Sequence, residues 1–173
     1  MIQMKKVLIL IVLLVAGFAT QVKAQTLKFG HLDIQQLIMV MPERATALAA
    51  LESEAAELEG MMGTMQEELQ KMFQDYTEKR ETMSDLVRQA KEEDIQMKQQ
   101  RIETFRAQAD QQLQTKQQSL MKPIFEKADS AISVVAKEQG LIYVFDVSSR
   151  VVLYQSPQSV DVLPLVKKKL GIE

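Results

Sequence analysis

The sequence contains no cysteine and no tryptophan, one histidine, four prolines and six glycines in 173 residues. Without cysteine there are no disulfides and no thiol chemistry, even in an oxidising compartment. With His31 as the only imidazole, the chain has no cysteine–histidine set for zinc and no second histidine to complete a catalytic constellation. Phosphate-cradling and dinucleotide-binding glycine patterns are absent as well. The proline and glycine deficit is uneven. Glu43 to Lys122 holds no proline and only two glycines, Gly60 and Gly63. A stretch of that length with so few breakers reads as helix.

The N-terminus has the layout of an export signal. Lys5 and Lys6 precede an apolar run, Val7 to Ala19, that is short for a bilayer span, and Val22 and Ala24 give a small-residue cleavage pattern. Cleavage is expected after Ala24, so the mature chain is expected to be exported and free of stable membrane insertion. No cysteine follows the cut, so a lipoprotein anchor is excluded. The leader takes three lysines and no acid with it. The formal charge of -2 becomes -5, because 18 bases then face 23 acids. An acidic chain of this kind is not a nucleic-acid binder.

Within the breaker-free stretch, Leu48, Leu51, Ala55, Leu58, Met62, Met65, Leu69, Met72 and Tyr76 recur at alternating steps of three and four. That spacing is a heptad seam. Leucine and methionine fill it without isoleucine or valine, giving good helix formers and adaptable packing. Gly60 and Gly63 are expected points of give. The first helix is placed at about Glu43 to Glu81. Thr82-Met83-Ser84-Asp85 is the expected tip, with Ser84 as N-cap. The return helix is expected from Asp85 to Gln139, with Ile102, Phe105 and Ala109 keeping the seam and Leu113, Leu120 and Ile124 keeping it in part. It reads as less regular because Gln96 to Gln118 carries nine glutamines. Pro123 is expected to kink or interrupt it, and Gly140 to cap its end.

Short strand patterns flank the helices. Leu27 to Leu32 alternates, and Asp33 with Gln36 makes a capping-box pattern for a short helix. Leu141 to Asp146 and Val151 to Tyr154 are apolar and β-branched, and a hairpin through Ser148-Ser149-Arg150 is expected. Pro164 should open a last helix that Gly171 ends. Three short strands cannot close a sheet alone, so the body is expected to be completed by other copies of the chain. The carboxylate clusters Glu67-Glu68 and Glu92-Glu93-Asp94 read as solvated helix faces. Catalytic, cofactor-binding and metal sites are not assigned, and no cofactor is called for.

Taken in order, these segments resemble the Skp family, also called OmpH, of periplasmic chaperones of outer-membrane proteins. The resemblance spans the mature chain. It is carried by Lys28-Phe29-Gly30-His31-Leu32-Asp33, the Pro42-Glu43 junction and the Gln-rich helical pair. The closing block is its most specific part: Gly140 to Asp146, Val151 to Tyr154, then Asp161 to Leu170. The resemblance implies an α+β fold, a small β body completed as a homotrimer, with a long antiparallel helical hairpin arm per subunit. Its organisation would be a signal peptide at 1–24 and one domain at 25–173. In that domain 25–42 and 123–173 form the body and 43–122 the arm, with its tip near 82–85.

The implied function is an ATP-independent holdase for unfolded outer-membrane β-barrel proteins. Candidate seam or client-facing residues are Leu58, Met62, Met65, Leu69, Met72, Tyr76, Met83, Met97 and Phe105. Candidate trimer-body residues are Phe29, Leu141, Tyr143, Phe145, Val152 and Tyr154. Two departures from the family pattern stand out: Gln111-Gln112-Leu113-Gln114 replaces a basic cluster, so no lipid site is assigned, and Leu163 stands where a capping threonine is usual. A structural or adaptor coiled coil that binds a folded envelope partner is the competing reading. Such a protein would carry its regular heptad along both helices.

Overall fold

The computed structural model describes residues 27–149 and 151–172. The expected signal peptide and its cleavage site lie outside them. The chain runs from β1 (Lys28–Leu32) through α1 (Ile34–Val40) into two long helices, α2 (Pro42–Lys79) and α3 (Asp85–Gln139). It closes with β2 (Leu141–Asp146), β3 (Val160–Asp161) and α4 (Leu163–Leu170). The fold is α+β: mostly helix, with one small three-stranded parallel sheet.

Local chemistry explains most of the boundaries. Asp33 caps α1 by accepting from Gln36 N at 3.0 Å. The Gln36 side chain bonds the Asp33 carboxylate at 3.1 Å rather than its backbone, so the capping box is only half formed. Pro42 starts α2, where a missing N–H costs nothing. A single 3-10 turn, Arg80–Thr82, separates the long helices, and Ser84 caps α3 by accepting from Val87 N. Gly140 and Gly171 end α3 and α4 at φ 65° and 71°, a left-handed turn that glycine takes without strain. The last helix does not begin bare. Asp161, two residues before Leu163, accepts its N–H at 3.0 Å, while Val162 at the N-cap supplies no side-chain bond.

Pro123 does not interrupt α3, which continues through it to Gln139. The expected hairpin is also corrected. β2 pairs in parallel with β1, and the third strand is Val160–Asp161, parallel on the other side of β1, giving the order β2-β1-β3. Val151 to Tyr154 joins no strand, and Val151, Leu153 and Tyr154 are almost fully exposed. A β-branched, apolar sequence supplies strand propensity but not a partner, and propensity alone does not make a sheet.

The core is small and lies on one side of the sheet. Leu32 and Val162 pack there with Leu37, Ile38 and Met41 of the α1 segment. The root of α3 adds Ile124, Ala128, Ala131 and Val135, and α4 adds Val166. Ala47 is the only buried residue of α2. The expected seam began at Leu48, but Leu48 is exposed and the chain enters the core one position earlier. Ala47 shares the buried cluster with Ala128 and Ala131 of the α3 root.

Candidate functional site

Two surfaces lie outside this core. The first is the far side of the sheet. Phe29 and His31 alternate with the buried Leu32 and with Gly30, so they point away from the helices. Opposite Phe29 stands Tyr143, and opposite His31 stands Phe145. The three rings stack in a patch with centroids 5.9 to 6.5 Å apart. Tyr143 remains 63% exposed and Phe145 44%. Val152 and Tyr154 join Phe29 and Phe145 around a cavity of about 520 Å³. His31 Nδ1 lies 2.8 Å from Ser159 Oγ and fixes the rim of that cavity.

Leu141 does not belong to this patch. The β1–β2 register slips between Lys28 and Phe29, which leaves Ile142 as an extra residue. Leu141 therefore turns to the inner face and packs over Gly30. Asp146 ends β2 and ties the strand to its surroundings: its carboxylate accepts from Ile34 N at 3.2 Å, Ser148 N at 2.9 Å and Ser148 Oγ at 2.8 Å. Burial works to raise its pKa, but these hydrogen bonds outweigh it and hold the group below the usual carboxylate range.

The second surface is the pair of long helices. Leu51, Ala55, Leu58, Met62, Met65, Leu69, Met72 and Tyr76 form the half-buried stripe of α2. The facing stripe of α3 is Arg88, Lys91, Ile95, Lys98, Ile102, Phe105, Ala109, Leu113 and Lys116, again at steps of three and four. The return helix therefore keeps a regular spacing, contrary to the sequence expectation, but with four basic positions among nine it is not the regular apolar heptad that the adaptor reading calls for. Its regularity was hidden because four stripe positions are basic. Their alkyl stems cover apolar surface while their charged ends reach outward.

Three of those ends meet acids on α2: Lys116 pairs with Glu54 at 2.9 Å, Lys98 with Glu68, and Lys91 with Asp75 at 3.7 Å, whereas Arg88 pairs with Asp85 of its own helix. Nearer the body, Lys127 pairs with Glu43. The partners between the helices run in opposite order, and each such pair has its acid on α2 and its base on α3. Hydrogen bonds from these lysines lower the pKa of Glu43 and Glu68, and Lys79 is the main cause for Asp75. For Glu54 the largest cause is the Gln112 amide, followed by Lys116. Tyr76 donates to Glu92, which raises the phenol pKa.

Away from the body this pairing is thinly packed. Ile95 and Ile102 are the buried residues of α3 before Ile124. Met83 is half-buried near the turn, and Met97 is 56% exposed. Met61, Phe73, Leu86 and Val87 also stand exposed, and sequence reasoning missed them. Met61 and Phe73 each sit one residue off the heptad, which was the signal available. No helix of the described residues is long and apolar enough to cross a membrane.

The family described as outer membrane protein (OmpH-like) matches residues 28–170, from β1 to the end of α4. The chain belongs to that family. Comparison with curated proteins returns no match. The OmpH-like family is one of periplasmic chaperones associated with outer-membrane proteins. Its match covers both surfaces described above, the aromatic sheet face and the paired helices.

Proposed function

We propose that the mature chain is an ATP-independent periplasmic holdase for unfolded outer-membrane β-barrel proteins. Three copies assemble through the aromatic sheet face, and the paired α2–α3 helices of each copy form an arm beside a shared client space. Residues 25–42 and 123–173 make the body of this single domain, 43–122 make the arm, and residues 1–24 are removed on export.

One observation carries the reading: exposed apolar side chains are strung along the paired helices beyond the body, at Met61, Phe73, Leu86, Val87 and Met97. A helical pair built only to lock onto itself would bury them. Methionine suits clients of varied shape, because its unbranched thioether adapts to irregular apolar surface. The trimeric body is supported by the sheet. Parallel sheets are almost always covered on both faces, and here the helices cover only one. Phe29, Tyr143 and Phe145, with Val152 and Tyr154 beside them, are the residues that a neighbouring copy would cover.

The test is aggregation of a β-barrel protein diluted from urea, followed by light scattering without nucleotide. Suppression is expected near one assembly per client. Continued aggregation at several-fold excess of the mature protein refutes the holdase. Mass measurement in solution tests the assembly separately, with three chains expected.

A further inference from the structure

Two open grooves lie along the paired helices. The one nearer the turn has a volume of about 580 Å³ and is floored by Met61, Met65, Met97 and Phe105. The one nearer the body has a volume of about 740 Å³ and lies beside the Glu54–Lys116 pair. Thr104 and Gln108 line both, so the two join into one trough that runs from Met97 to Ser119 on α3. At 1.5 Å per helical residue its length is about 33 Å. An extended chain at 3.3 Å per residue fills that length with about ten residues. One membrane-crossing β-strand has roughly the same length, about 9–11 residues.

The wall chemistry points the same way. Gln100, Thr104, Gln108, Gln111 and Thr115 follow one another at steps of three and four, which places them in one row along α3. Each glutamine amide offers both a donor and an acceptor. Thr104 and Thr115 turn their hydroxyl protons back to the carbonyls of Gln100 and Gln111, both at 2.9 Å; the Thr115 oxygen accepts from the Gln111 amide at 3.4 Å, and the Thr104 oxygen is left to accept from a ligand. The body-side charges cancel, since Glu54 and Lys116 bond each other. Arg101 is the charged residue of the turn-side groove, but the row of mixed donors and acceptors beside the methionine floor is itself neutral. It matches an extended backbone, whose N–H and C=O groups both need partners, with apolar side chains on alternate residues.

We propose that this trough is a backbone-reading site for one extended strand-length segment of an unfolded β-barrel chain. The glutamine and threonine row bonds its peptide groups, and the methionine end takes its apolar side chains. This assigns a role to the glutamine-rich tract and rests on the holdase reading.

The test uses the mature protein and a fluorescent ten-residue peptide of alternating apolar and polar residues, with binding read by anisotropy. A second peptide carries N-methyl groups on alternate backbone nitrogens. The groove variant is Gln100→Ala/Gln108→Ala/Gln111→Ala. Its control, Gln99→Ala/Gln114→Ala/Gln117→Ala, changes glutamines outside the trough. Alanine keeps helix propensity in both, and circular dichroism checks this. The groove variant is expected to bind about tenfold more weakly than parent and control, as loss of two or three hydrogen bonds implies. Backbone methylation should weaken the parent by a similar factor and the groove variant little. Equal binding by both variants, or indifference of the parent to methylation, overturns the site. A parent that suppresses aggregation of the denatured barrel but does not bind the peptide overturns the site and leaves the holdase standing. A parent that does neither overturns both.

Discussion

Gly30 is the position where one added methyl group should do most harm. It sits on the inner face of the central strand, between β2 and β3. A Cβ there would lie 2.7 Å from Leu141 Cδ1, 3.2 Å from Val162 Cγ1 and 3.3 Å from the Val160 carbonyl oxygen. Optimal carbon–carbon contact is about 3.5–4.0 Å. The Leu141 methyl ends a flexible side chain and can retreat. The other two neighbours are held, since Val162 is fully buried, its N–H bonds His31 O at 3.0 Å, and Val160 is the strand partner of Gly30 itself. Overpacking of this kind costs about 1–3 kcal/mol. Replacing glycine by alanine in a strand returns about 0.5–1 kcal/mol. The difference spans about 0–2.5 kcal/mol, and the two held neighbours keep Gly30→Ala away from its lower end, at about 1–2 kcal/mol net. With a urea slope of about 2 kcal/mol per M, the midpoint falls by about 0.5–1 M at unchanged slope.

The assay is urea unfolding by circular dichroism at fixed chain concentration, because assembly would shift the midpoint by mass action. Leu141→Val supplies the internal control. It removes the closest clashing atom, so the double variant should lose less than the two singles together, by at least about 0.5 kcal/mol. Additive losses, or a Gly30→Ala midpoint within about 0.2 M of the parent, would refute the packing argument.

Acid should loosen the pairing of α2 and α3. Glu43, Glu54, Glu68 and Asp75 have lowered pKa values, so their contributions are complete above the ordinary values of 4.5 for Glu and 3.8 for Asp. These contributions are lost as pH falls below those values and through the lowered folded ones. Protection of α3 amides between Lys91 and Lys116, taken as exchange relative to the intrinsic rate at each pH, should therefore fall below about pH 4, and unchanged protection would show that the pairs contribute nothing. Gly60→Ala and Gly63→Ala meet no atom within 4 Å and should each stabilise α2 by about 0.5–1 kcal/mol, read as a higher melting temperature. Tyr143→Lys places a charge in the exposed aromatic patch and should reduce the mass in solution to that of a single chain. A persisting trimer would remove the sheet face from the proposed interface.

Local signals in the sequence carried far. Ser84 and Asp33 as caps, Gly140 and Gly171 as stops, and the α2 stripe from Leu51 to Tyr76 are short-range features, and short-range physics fixes them. The family was legible too, because order and spacing survive where single motifs are weak. Pairing was less legible. Val151 to Tyr154 has better strand propensity than Val160–Asp161, yet the two-residue segment lies beside β1 and the longer one does not. The α3 stripe was obscured by Arg88, Lys91, Lys98 and Lys116, which count as polar in any hydrophobic pattern although their stems pack. Nor could spacing show that Leu141 and Tyr143 face opposite ways, since a register slip breaks the parity on which such a reading depends.

The one-way arrangement of acid on α2 and base on α3 also bears on what the helices avoid. α2 carries nine acids against three bases, whereas α3 carries nine of each. Two α2 helices brought side by side would set carboxylates against carboxylates, without the lysines that α3 supplies. Like-charge repulsion of this kind discriminates against wrong partners. Copies crowded around one body would find their outgoing helices mutually repellent, while each still matches its own return helix. In the proposed assembly the charge pattern would therefore act as an address, keeping neighbouring arms from zipping together and leaving the space between them open.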